Sequence, residues 1–192
     1  KNKIGVLPIS AHKFYGPKGV GALYIRRKNP RITIEPLITG GGQENKLRAG
    51  TLNTPGIVGI GEAIEIAVNS LEKNTNVLKK IKKEFKDFFR DYNAIFNESV
   101  ENTSAHILNI TIPGTKANNL IKQTRNLSYS LGSACTSETL DPSTVLTAMG
   151  ISKENCFCSF RLSFSAELTN TEIEKVKNIF ASSLRNEKIK TH

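Results

Sequence analysis

Cysteine is scarce in this chain, with three residues in 192. So few thiols cannot build a disulfide framework, and their odd number argues for a reducing, cytoplasmic compartment. No apolar run approaches the roughly 18 residues of a membrane-crossing helix, so no such span is expected. A basic, then apolar, then small-residue leader is also missing, and nothing points to secretion. There is no internal repeat, no low-complexity tract and no nucleic-acid-binding signature. The chain starts at Lys1 rather than Met and reads as a piece of something longer. A hydrophobic content of 38% and a charged content of 23% are ordinary for a globular protein. The length suffices for a sizeable core.

Acidic residues are outnumbered, 17 against 27 basic ones, for a net charge of +10. The lysines are spread along helical segments, such as that of Lys79, Lys80, Lys82, Lys83 and Lys86. Val77, Leu78, Ile81, Phe85, Phe88 and Phe89 interleave with these lysines at helical spacing. The pattern predicts a solvated face opposite a buried one rather than a nucleic-acid surface. An acidic protein partner is compatible with the charge.

Residues 4–9 are short, apolar and extended in character, and strands are predicted over 20–25 and 31–38. Ile57, Ile60, Ile64, Ala67 and Leu71 mark an amphipathic helix with Pro55 in its first turn. The lysine-rich segment continues that helix or forms a second one. Strands are expected over 92–96, 106–112 and 127–131, with a helix of about two turns near 116–124. Residues 142–149 fit a short helix with Asp141 as N-cap and Gly150 as stop. A last helix runs from Thr169 or Thr171 to about Leu184, with Ile173, Val176, Ile179, Phe180 and Leu184 on one face. Glu172 and Glu174 fall in its first turn, favourably for the helix dipole. The alternation of helices and strands over 51–192 indicates an α/β or α+β layer structure.

Cys156 and Cys158 lie in an alternating stretch, 156–164, that predicts a half-buried strand with both thiols on one face. A metal site there would need two more ligands, and His106 and His192 are poorly spaced for it. No metal is expected, and the two thiols read as buried small hydrophobes.

The chemistry concentrates elsewhere. Lys13 lies in Ser10-Ala11-His12-Lys13-Phe14-Tyr15-Gly16-Pro17-Lys18-Gly19, an amine beside an imidazole and a hydroxyl before a tight turn. Cys135 lies in Gly132-Ser133-Ala134-Cys135-Thr136-Ser137, a thiol among small residues that leave it reachable. An amine that can form an imine, together with a mobile thiol, equips a protein to act on a sulfur-bearing amino acid. Such an amine must be neutral, so it needs burial or nearby positive charge. Taken alone, a lysine in a Gly-Pro loop is more often an ordinary surface residue.

The string from Ser10 to Gly21 closely resembles the cofactor-lysine motif of the NifS/IscS-type cysteine desulfurases, which are class V aminotransferase-like enzymes. Gly40-Gly41-Gly42-Gln43-Glu44 with Arg48-Ala49-Gly50-Thr51 is similar to that family's next block. Gly132–Ser137 resembles its catalytic-cysteine loop, in the long, mobile form of the IscS/NifS branch. Phe160-Arg161-Leu162-Ser163-Phe164 resembles the arginine strand beyond it. All four blocks occur in order and together cover essentially the whole chain.

The resemblance implies a fold-type I pyridoxal-phosphate transferase: residues 1–50 as the edge of the large cofactor domain and 51–192 as the small C-terminal α/β domain. It implies pyridoxal 5'-phosphate as cofactor, L-cysteine as substrate, a homodimer, and an iron–sulfur scaffold or other sulfur acceptor as partner. Selenocysteine stays open as a substrate. Lys13 would bind the cofactor covalently and move protons; Ser10 and His12 would hold its phosphate; Thr51 would reach the phosphate in the partner subunit. Arg161 would bind the substrate carboxylate, and Cys135 would take the sulfur as a persulfide, leaving alanine. Each role has a plain rival. His12 could be a structural imidazole, Thr51 a helix N-cap, Arg161 half of a buried ion pair, and Gly40–Gly42 a flexible turn. The family also carries about as much chain again before the lysine motif, so this chain alone is expected to bind cofactor poorly. The alternative role is a non-catalytic module that docks to a scaffold or sulfur acceptor.

Overall fold

The computed structural model describes residues 4–99, 103–131 and 141–189, with side chains to residue 185. The chain divides into two compact units, Lys1–Leu71 and Glu72–His192. One helix, α1 (Thr54–Arg90), contributes to both.

In the first unit, β1 (Val6–Ser10) and β2 (Gly21–Ile25) form an antiparallel ribbon in the register Val6↔Ile25 through Ser10↔Gly21. Its apolar side chains are largely uncovered: Val6, Leu7, Leu23 and Tyr24 are all exposed. An isolated two-stranded ribbon is marginal in water, and the only buried apolar side chains of this unit among the described residues are Ala11, Ala49 and Ile60. The strand expected over 31–38 is not formed; Ile32 N–H bonds to Arg26 C=O and Ile38 C=O accepts from Ala49 N–H, and the segment otherwise runs as loop. Pro30 and Pro36 remove ladder donors from this short stretch. The loop then turns through left-handed Glu44, Asn45 and Lys46.

The second unit is built on a four-stranded sheet in the order β3 (Ile95–Phe96), β4 (Ile107–Thr111), β6 (Ser159–Ser163), β5 (Ser130–Leu131). Every pairing is antiparallel. The strands expected over 92–96 and 127–131 shrink to two residues each. Tyr92 N–H is instead bonded to Phe89 C=O, and Leu127 N–H to Thr124 C=O, so turns take the missing length.

Alternation along the strands sorts two faces. Leu108, Ile110, Phe160 and Leu162 face the core, joined by Ile81, Phe85 and Phe89 of α1 and by α2 (Ala117–Gln123) and α5 (Asn170–Ile189). Phe85 stacks on Phe164 at 4.9 Å, and Phe89, Phe160 and Phe180 form a ring cluster with centroids 5.2–5.7 Å apart. Each such side chain contributes about 1.5–3 kcal/mol of burial. The helix ends are chosen by short polar side chains. Asn53 Oδ1 accepts from Gly56 N–H to start α1. Thr169 Oγ1 and Glu172 form a reciprocal capping box that starts α5 at Asn170.

Three sequence expectations are corrected here. The helix after Pro142 is α3 (Thr144–Ala148), capped by Ser143 rather than Asp141 through a bond from Leu146 N–H at 3.4 Å. Cys156 sits inside a short helix, α4 (Lys153–Phe157), and Cys158 ends it, so the strand begins only at Ser159. Ser152 accepts from Asn155 N–H and nucleates that turn, which overrides the alternating pattern. Both thiols are buried, as expected of small hydrophobes. Finally, the lysines of α1 are not one solvated face: Lys82 is buried and pairs with Glu98, while Lys86 pairs with the same carboxylate and lies over the Phe96 ring.

Candidate functional site

Strand β1 ends at Ser10 and passes into one tight turn, Ala11–Phe14, that carries His12 and Lys13. Ala11 is fully buried, its N–H bonded to Val20 C=O at 3.2 Å and its C=O accepting from Gly16 N–H at 2.9 Å. Two glycines permit this closure. A methyl group at Gly21 would lie 2.5 Å from Ile9 C=O, and one at Gly16 would lie 2.9 Å from the Ala11 methyl. Ser10, His12 and Lys13 project from the clamped turn into solvent, and no ion pair or side-chain hydrogen bond engages them among the described residues. Lys18 is exposed just beyond.

Thr51 lies exposed in the extended stretch that leads into α1. It does not cap the helix; Asn53 does. The helix start is pressed onto the Lys13 loop through glycines that the sequence reading did not single out. A methyl group at Gly59 would approach Pro17 Cγ to 2.6 Å, and one at Gly56 would meet Val20 Cβ at 3.1 Å. The spacing Gly56-x-x-Gly59 on a helix face was the available signal, because only such positions let a backbone come this close.

In the second unit, Arg161 lies mid-β6, opposite Asn109 of β4 and Ser130 of β5. It belongs to the polar face of the sheet. There Asn97 donates to Asn109 Oδ1 at 2.8 Å and to Thr111 Oγ1 at 2.7 Å, and Thr111 and Ser159 share a bond of 2.7 Å. Arg161 itself gains little from these neighbours. Its Nη2 donates to Ser130 Oγ at a long 3.4 Å, its Nε is buried with no partner, and no carboxylate pairs with it among the described residues. The rival reading of a buried ion pair therefore finds no partner acid. A half-buried guanidinium with free donors is chemically a receptor for a planar anion.

Cys135 lies outside the described residues. Burial pushes the Cys158 thiol above its usual range; the charge of Glu154 adds to this, against opposing amides of Gly114 and Thr115 and the charge of Lys116. It is a structural thiol rather than a nucleophile. Among the described residues no group of three His, Cys, Asp or Glu is placed to hold a metal ion, and no helix is long and apolar enough to cross a membrane.

The family described as aminotransferase class-V matches residues 1–176 of this chain. The chain is 41% identical over 186 residues to the cysteine desulfurase IscS of Rickettsia prowazekii (strain Madrid E), covering 94% of this chain and 44% of that protein. It is 42% identical over 175 residues to the cysteine desulfurase IscS of Vibrio vulnificus (strain YJ016), covering 91% and 43%. The solved structure of a NifS-like protein from Rickettsia africae ESF-5 superposes with a TM-score of 0.80 at 28% identity, covering 94% and 47%. The chain thus spans under half the length of these relatives.

Proposed function

The chain belongs to the class V aminotransferases, a pyridoxal phosphate-dependent family, and on that premise we propose that it is the Lys13- and Cys135-bearing portion of a cysteine desulfurase. The reaction would convert L-cysteine to L-alanine and leave the sulfur on the protein for an iron–sulfur scaffold or another acceptor. A homodimer in the cytoplasm, residues 1–50 as the edge of the cofactor domain and 51–192 as the small domain complete the reading.

The donor set on the Ala11–Phe14 turn fits the cofactor's two reactive ends: an amine for its aldehyde, and a hydroxyl and an imidazole for its phosphate. None of the three is engaged by another side chain of the described residues. When bound, pyridoxal phosphate supplies the electron sink that loosens bonds at the substrate α-carbon. Lys13 would anchor the group and carry protons at its Nζ, Ser10 and His12 would orient the phosphate, and Thr51 would hold the phosphate of a second subunit. Arg161 would clamp the substrate carboxylate, and Cys135 Sγ would attack the substrate sulfur to form the persulfide. The observation that supports the reading is Arg161, half-buried with Nε unpartnered and, among the described residues, no acid paired with it. A cation in that state is costly unless an anion arrives.

The first unit leaves Lys13 exposed. That favours weak cofactor binding by the chain alone, and it is also what a non-catalytic docking module would tolerate. The test uses a chain extended to the length of its relatives. Cys135→Ala keeps the cofactor absorbance and loses sulfide release from L-cysteine; sulfide release that survives the change overturns the assignment.

A further inference from the structure

The lysine-rich part of α1 forms one wall of a hollow of about 490 Å³, closed opposite by the segment around Phe96 and Glu98. Lys79, Lys82, Lys83, Lys86 and Arg90 line it, and among the described residues Glu98 is the only acid in its lining. Two ion clusters lie side by side, and each is short of acid. Lys82 and Lys86 share Glu98, and Lys83 and Arg90 share Asp87. Lys79 has no acid among the described residues. Among the described residues five cations face two carboxylates, leaving three positive charges in a concave surface.

We propose that this hollow is a docking site for an acidic polypeptide segment. The inference is independent of the desulfurase reading and concerns a surface remote in sequence from Lys13, Cys135 and Arg161. In the buried layer Lys82 and Lys86 hold Glu98 between them, with one positive charge in excess, and Lys82 also donates to Ser104 C=O at 2.9 Å. That layer makes a rigid floor. Lys79, Lys83 and Arg90 form the exposed rim, and with Asp87 between the last two it carries two of the three unspent charges.

The geometry selects an elongated ligand over a compact one. Residues 79 to 90 rise about 16 Å along the helix axis, about 6 Å from Lys79 to Lys83 and about 10.5 Å from Lys83 to Arg90. An extended chain places every second side chain on one side at about 6.6 Å and rises about 3.3 Å per residue, so about six residues with alternate carboxylates span the rim. A lone phosphate reaches only one or two of these cations. Lysine suits this role, since its flexible point charge adapts to carboxylates arriving along a line.

The test measures binding of fluorescein-labelled hexaglutamate to the whole chain by anisotropy at low salt. The rim variant Lys79→Gln/Lys83→Gln/Arg90→Gln is compared with a charge-matched control, Lys122→Gln/Lys153→Gln/Lys175→Gln. All six positions are exposed, and circular dichroism checks that both variants keep their helix content. The expected result is a loss of about tenfold or more in affinity for the rim variant and less than about twofold for the control. Equal losses in both variants overturn the site in favour of general charge attraction. Displacement of the peptide by inorganic phosphate at equal molarity overturns the length argument. Tighter binding of a short DNA duplex through the same rim overturns the choice of polypeptide.

Discussion

Glu98→Gln tests the electrostatics of the second unit most directly, because it removes one charge with almost no change of shape. Glu98 is 13% exposed and Lys82 8%, so neither charge can turn to water when its partner is lost. Breaking a buried pair from one side costs about 3–5 kcal/mol. Two features reduce that figure: Lys82 keeps the Ser104 carbonyl, and Lys86 is 27% exposed. About 2 kcal/mol remains, and it lowers the melting temperature by roughly 4–8 °C for a chain of this size.

The pH dependence follows from the same contacts. Burial pushes the Glu98 carboxyl upward, but the hydrogen bonds and charges of Lys82 and Lys86 outweigh it and hold the group below its usual range. A carboxyl whose folded value lies below its unfolded one contributes stability above the unfolded value. That contribution disappears as the pH falls through the folded one. Urea titrations of parent and Glu98→Gln therefore differ at neutral pH and converge in acid, well below about pH 4. The apolar pair Lys82→Met/Glu98→Leu recovers most of the loss. A cost under about 0.5 kcal/mol at neutral pH, or one that persists unchanged in acid, refutes the reasoning.

Arg161→Met changes stability by less than about 1 kcal/mol, since the guanidinium makes one long bond in the fold. In a chain of full relative length the same change lowers kcat/KM for L-cysteine by roughly 100-fold; parallel losses of stability and activity would make Arg161 structural. Cys158 is alkylated by iodoacetamide near neutral pH at least about tenfold more slowly in the folded protein than in urea, because burial keeps it a thiol. Peptide mapping by mass spectrometry reads this, and fast native alkylation contradicts it. Gly21→Ala drives a methyl onto Ile9 C=O and speeds amide exchange along Val6–Ser10, leaving the Phe-rich core of the second unit unchanged; unaltered exchange shows that the ribbon gives way without opening.

Long periodic elements were readable from residues alone. Val77 to Phe89 and Ile173 to Leu184 repeat with the helical period, and both faces pack in the core. The alternation His106–Ile112 became β4 because a sheet with one oily and one polar face needs a period of two. Short elements were not readable. The stretch 156–164 alternates throughout, yet Ser152 diverts its first residues into a helix, and one hydrogen bond outweighs a two-residue pattern. Residues 31–38 have β-branched side chains but formed no ladder, since strand propensity acts only with a partner strand.

The order and identity of the residues proposed for the site, Ser10 to Lys13, Thr51, Cys135 and Arg161, were in the sequence, because side-chain chemistry is local and motif spacing preserves it. Which polar groups go without partners was decided by the fold. Arg161 Nε became an orphan only when β4 and β5 closed around β6, and Lys82 became a buried cation only when Glu98 packed against α1. Burial and partnership belong to pairs of residues far apart along the chain, and no local pattern contains both members.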